Sequence, residues 1–156
     1  IKDIQIDTDF ELLFPDNYIN SITERLNLYN ELSSTKSSVE LLDFEKRLID
    51  RFGELPVQAI DLLDSVRLKW LAKEMGLEKV VLKQKRMIGY FISDQQSEFY
   101  QTEAFTKVLK YVQQNATTCV IKEKQTKIGL RLLITFIKID SVEIALKRLK
   151  KVLGHF

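Results

Sequence analysis

Apolar side chains stand at even positions from Ile4 and Ile6 through Phe10 and Leu12 to Phe14, a two-residue period that predicts a strand with one buried face. Pro15 ends it, with Asp16 and Asn17 as turn or capping residues. The period then lengthens. Ile22, Leu26, Tyr29 and Leu32 predict one amphipathic helix, and the polar stretch 33–38 a loop in which Ser37 or Ser38 caps the next. Leu41, Leu42, Leu48, Ile49 and Phe52 carry that second helix into a joint at residues 48–56. Gly53 suits a helix end that needs positive φ, and Pro56 suits the first position of a new helix, where its missing N–H would lack a partner anyway. Arg51 complements the finishing dipole and Glu54 the starting one. A third, longest helix follows, with Ile60, Leu63, Val66, Trp70 and Leu71 inward and Gly76 closing it.

From Leu77 the pattern shortens again. Val80–Leu82 and Met87–Ile92 read as strands around a polar turn at 83–86, and Phe105, Val108, Leu109 and Val112 as a helix capped by Thr102. Cys119–Ile121 and Ile128–Phe136, around Lys122 to Lys127, repeat the strand pair. Val142, Leu146, Leu149 and Leu153 repeat the helix, opened by Asp140 with Glu143 three residues on. A shift of forty positions sets Val80 on Val120, Ile88-Gly89 on Ile128-Gly129, Leu109 on Leu149 and Val112 on Val152, a weak internal ββα duplication. The fold class is α+β: a strand plus helical part over residues 1–76 and a small sheet backed by helices over 77–156, within one domain.

Composition narrows the function. Among the 156 residues, 45% hydrophobic and 29% charged describe a globular chain, and no apolar run approaches the ~20 residues that span a bilayer. A single cysteine, Cys119, excludes an internal disulfide framework and fits a reducing compartment such as the cytoplasm. A start at Ile1 suggests a piece of something longer. The net charge of +2 hides a division: residues 1–64 carry fourteen acidic and six basic side chains, a balance of −8, and residues 65–156 eight and eighteen, a balance of +10. Such a gradient reflects either a docking preference between parts or ordinary solvated surface.

Catalytic sets are missing. His155 is the single histidine and stands one residue from the end, so neither a Ser/His/Asp arrangement nor a zinc cluster assembles in the usual way. Neither GxxxxGK[ST] nor GxGxxG occurs, which leaves no phosphate cradle and no cofactor to expect. Cys119 beside Val120 reads as a small buried hydrophobe, Asp61 and Asp64 as solvated helix surface, and Trp70 as core before nucleobase stacker. The remaining candidates are basic. Lys83, Lys85 and Arg86, with Lys122, Lys124 and Lys127, would occupy equivalent turns of the two repeats, and Lys147, Arg148, Lys150 and Lys151 a basic C-terminal helix. Nucleic-acid binding follows only if these converge on one face.

Three ordered elements carry a resemblance. The first is Pro15, Tyr18 and Ile19; the second is Arg25, Leu26 and Tyr29; the third is Asp50, Arg51, Phe52, Gly53, Leu55 and Pro56. Leu68 to Ala72 and Met75 to Leu77 continue in order, while Asn17 and Asn20 depart from the more usual acidic or prolyl residues. Together these resemble the C-terminal domain of bacterial transcription-repair coupling factors, over residues 4 to about 80. The resemblance implies a part of an ATP-driven DNA translocase that removes stalled RNA polymerase and recruits excision repair through UvrA. It implies an autoinhibitory domain with no catalysis of its own, whose partner is the UvrA-binding module of the same polypeptide, with UvrA and RNA polymerase met only through the parent protein. The alternative is an accessory nucleic-acid-binding module using the basic loops.

Overall fold

The computed structural model describes residues 3–155 and has an α+β fold. Residues 10–67 form one compact unit; residues 3–9 together with 68–155 form another. The sequence placed the break near residue 76. It falls earlier, and residues 3–9 change sides, because β1 (Gln5–Thr8) pairs in parallel with β2 (Leu77–Lys83).

In the unit 10–67, the even-position apolar run does not continue as a strand. Beyond Thr8 the chain leaves the ladder, and Phe14 is buried against Tyr29 and Phe44, its amide donating to the Tyr29 hydroxyl at 2.8 Å. Pro15 to Tyr18 is a turn closed by the Tyr18 amide on the Pro15 carbonyl. The cap of α1 (Ile22–Ser33) is Ser21, whose hydroxyl accepts from the Glu24 amide. Ser37 does the same for Glu40 at the head of α2 (Ser38–Phe52). The inward stripe of α2 is Leu41, Phe44 and Leu48, with Leu42 and Ile49 exposed. On α1 the expected stripe is displaced: Ile22 is 67% and Leu26 57% exposed, while Arg25, Leu28, Tyr29 and Leu32 turn inward. Polar anchors explain the rotation, because Arg25 donates to the Ile19 carbonyl and Tyr29 accepts from Phe14. Gly53 ends α2 at φ +89°, a conformation that side chains with a Cβ avoid. The Pro56 carbonyl accepts from Ala59 and Ile60, which makes Pro56 the residue just ahead of α3 (Val57–Glu74).

The second unit is a five-stranded sheet in the order β1-β2-β3-β5-β4, antiparallel except at β1. Its remaining strands are β3 (Arg86–Phe91), β4 (Cys119–Thr126) and β5 (Gly129–Ile137). Two ββ-helix units do follow one another, closing on α4 (Glu103–Gln114) and α5 (Val142–Leu153). The forty-residue register fails, however. The first hairpin turns at Gln84-Lys85 and the second at Lys127-Ile128, so Gly89 sits mid-strand while Ile128 is 77% exposed at a tip. Lys122 to Thr126, read as a loop, continue β4 because each has a partner on β5.

One sheet face is buried. Val80, Gly89 and Ile134 form one cross-strand row; Leu82, Met87, Phe136 and Cys119 form the next. A Cβ on Gly89 would come within 2.7 Å of the tip of the Leu77 side chain, so any larger residue there requires Leu77 to shift. α4 reaches this face through Phe105 on Phe91 and Tyr111 against Phe136, and α5 lays Arg148 over the Phe136 ring. α5 buries six apolar residues, is capped by the Ser141 hydroxyl (not by Asp140), and ends at Gly154 in the left-handed region. The inward residues of α3 are Ala59, Leu63, Leu68 and Ala72, and Met75 just beyond it is buried too; Ile60 is exposed and Trp70 half-buried.

Candidate interaction surface

The resemblance residues gather at one end of the unit 10–67. Because Gly53 turns the backbone at positive φ, the last carbonyls of α2 are free to accept, and the Tyr18 hydroxyl takes the Gly53 carbonyl at 2.8 Å. Its ring leans on Phe52, with centroids 5.8 Å apart, and burial pushes the Tyr18 pKa up. Arg51 lies over the other aromatic contact of the joint, 5.0 Å from the Phe52 centroid, and pairs with Glu24 on α1. One turn earlier Arg47 repeats the arrangement: it lies over Phe44 and pairs with Glu31 and Asp43. Hydrogen bonds to Glu31 and then Asp43 raise the Arg47 pKa still further.

Between α1 and α2 these side chains enclose a cavity of about 350 Å³. Leu28, Phe44, Leu48 and Phe52 supply apolar walls; Glu31, Arg47, Asp50 and Arg51 supply charge of both signs. A surface with an apolar floor, rimmed by alternating charges that are themselves largely solvated, suits protein recognition and has no group arranged for bond-making. Of the residues singled out from sequence, Asp50, Arg51 and Phe52 line it, while Tyr18 and Gly53 join each other beside Phe52. Pro15, Ile19 and Arg25 shape the preceding turn, Tyr29 holds Phe14, and Leu55 and Pro56 are half-buried in the link to α3. Leu26 points away and is exposed. Sequence reasoning missed Glu31, Phe44 and Arg47. The i, i+4 step from Phe44 to Leu48 was the available signal for the aromatic.

The basic candidates do not converge. The Lys85 backbone carbonyl accepts from the Ile139 amide at one end of the sheet, where β5 finishes and β4 begins, while the Lys127-Ile128 turn closes the opposite end. Lys83 pairs with Asp7 and Lys147 with Glu143; Arg148 is spent on the Tyr111 hydroxyl and the Ile137 and Thr118 carbonyls. Cys119 is buried, and burial pushes its thiol up to about 11 despite the opposing charge of Arg148. His155 meets Glu74 at 2.7 Å. Among the described residues no group of three His, Cys, Asp or Glu is placed to hold a metal, and no helix is long and apolar enough to cross a membrane.

Fold and surface thus define an α+β domain with an apolar-walled, charge-rimmed groove within residues 10–67. Residues 8–102 match the TRCF domain family, and the chain belongs to that family. It is similar to transcription-repair-coupling factors of Staphylococcus epidermidis (30% identity over 145 residues, 87% of this chain and 12% of that protein) and Rickettsia conorii (28% over 130 residues, 83% and 11%). The protein of that name from Escherichia coli is 41% identical over 68 residues, 44% of this chain and 6% of its own length. The chain therefore spans about an eighth or less of the relatives it matches. A solved structure described as the C-terminal domain of transcription-repair coupling factor shares the fold, with a TM-score of 0.70 at 17% identity, covering 98% of this chain and 95% of that one.

Proposed function

We propose that this chain is an autoinhibitory interaction domain of a transcription-coupled repair translocase, and that it masks the UvrA-binding module of the same polypeptide. The observation that carries the reading is the groove of residues 10–67, apolar in its walls and charged at its rim, which the resemblance residues Asp50, Arg51 and Phe52 help to line. The relatives' length supports it, because most of such a polypeptide lies outside this segment and can supply the masked module. In this reading the fragment has no turnover of its own, works in the bacterial cytoplasm, and meets UvrA and RNA polymerase only through the parent protein.

The energetics required are modest. Modules tethered in one chain see each other at an effective concentration near the millimolar range, so an intrinsic Kd of about 0.1 mM keeps the contact roughly 90% closed, a bias of about 1.4 kcal/mol. An interface that weak opens when a partner binds or the motor moves. The test compares UvrA affinity of the full-length parent protein with that of a version lacking this segment. Removal should tighten UvrA binding about tenfold, in line with the 90% closure. Charge reversal by Arg47→Glu with Arg51→Glu in the full-length protein should reproduce part of that gain. Equal UvrA affinity with and without the segment would sink the reading.

A further inference from the structure

The sheet has a second face, opposite α4 and α5, built from the alternate residues of each strand. Tyr90 stands at its centre, opposite Lys79 on one side and Leu133 on the other; Ile88 stands next to it, opposite Val81 and Thr135. All but Leu133 are half-exposed. The outermost strand adds Lys122 and Lys124, exposed and in register with Leu133 and Arg131. An apolar strip with lysines at its margins is an unusual use of a solvent-facing sheet surface, which ordinarily mixes both signs of charge.

The cations divide into two sets. Two have taken carboxylates: Lys83 holds Asp7 and Arg131 holds Glu78, each at 3.1 Å. Lys79, Lys122 and Lys124 have no carboxylate within ion-pair distance among the described residues, and Lys79 lies 5.6 Å from the Tyr90 centroid. A single-stranded nucleic acid would want the Tyr90 ring as a stacking platform. That ring already has Lys79 and, at 5.7 Å, Arg131 over it, which leaves the lysines and the aliphatic strip as the recognition elements.

We propose that this face docks an acidic, amphipathic peptide segment of a partner protein, laid across the strands with its apolar side chains on Val81, Ile88 and Tyr90 and its carboxylates on Lys79, Lys122 and Lys124. It is a surface of the sheet unit, separate from the groove of residues 10–67 and independent of the masking role. Charge complementarity sets the partner's sign, and the aliphatic strip sets its amphipathicity.

A labelled peptide of about eight alternating Glu and Leu residues is long enough to cross strands spaced about 4.8 Å apart. Titrated into the 156-residue chain, it should bind and shift the backbone amide resonances of β2, β3, β5 and β4, more weakly as salt rises. Lys79→Glu, Lys122→Glu and Lys124→Glu combined should weaken it about tenfold without moving the melting temperature, since exposed pairs each contribute modestly. A Glu/Ser peptide binding equally well would overturn the proposal, as would shifts confined to other elements. So would a single-stranded DNA of similar length that perturbs the same amides at lower concentration.

Discussion

Cys119 shows how a residue's surroundings set its chemistry. The side chain sits in the buried row of the sheet with Leu82, Met87 and Phe136, and desolvation keeps the thiol neutral up to about pH 11. In the unfolded chain the same thiol ionises near its ordinary value of about 8.5. Between those two values the unfolded state binds fewer protons than the folded one, so stability falls as pH rises, by up to about 1.4 kcal/mol per pH unit. Denaturant melts at pH 8, 9 and 10 should show the wild-type decline, and Cys119→Ala should flatten it. An identical slope in the two proteins would mean that the thiol does not contribute. Native Cys119 should also resist thiol reagents at pH 8, because the thiolate is the reactive form.

Among the elements, α5 is the one the rest of the sheet unit depends on. Arg148 leaves its buried stripe to donate to the Tyr111 hydroxyl on α4 and to the Ile137 and Thr118 carbonyls at the strand ends, all between 3.1 and 3.2 Å. No lysine can make that fork, since three donors on a single ammonium cannot span acceptors on three elements. Arg148→Lys should cost about 2 kcal/mol in chemical denaturation, with a similar loss for Arg148→Met, because either change removes charged donors from the part-buried Ile137 and Thr118 carbonyls and from Tyr111, though Thr118 keeps the Ile137 amide. A loss near zero for Arg148→Lys would show that charge alone, not geometry, sustains the contact. Sequence periodicity found α4, α5 and the apolar parts of the strands of this unit, but not the 3-10 turn Glu98–Gln101, which has no buried face to mark it. It could not find Arg148's role, because a basic residue on an amphipathic helix reads as solvated surface. Nor could it measure β4, whose lysines look like a loop until their partners on β5 are known. The groove of the other unit was half legible: Asp50, Arg51 and Phe52 were marked by resemblance, whereas Arg47 and Glu31 depend on α1 meeting α2.

At the scale of the whole molecule, the chain order differs from the order in space. Even-position hydrophobics suggested one strand from Ile4 to Phe14, yet Ile4 belongs with the sheet and Phe14 with the helices, because pairing partners, not local pattern, decide where a strand stops. Thr8 and Leu82, hydrogen-bonded at 2.7 Å, lie 74 residues apart in the chain, and most of that separation is the helical unit.

Closing a flexible loop costs entropy that grows with the logarithm of its length. If residues 10–67 were unfolded, β1 would have to find β2 across a loop of roughly 70 residues; each halving of the free loop lowers the closure cost by about 0.6 kcal/mol, so ordering most of it saves on the order of 1–2 kcal/mol. Four residues of parallel pairing on an edge are too few to ignore a term of that size. Phe44→Ala, which hollows the helical unit at a cost of about 3–5 kcal/mol, should therefore speed amide exchange in residues 5–8 while β3 and β5 keep their rates. Unchanged exchange in residues 5–8 would show that the strand holds without help. In kinetic language, the helical unit is a splint: its folding shortens the search by which the first strand of the sheet finds its place last.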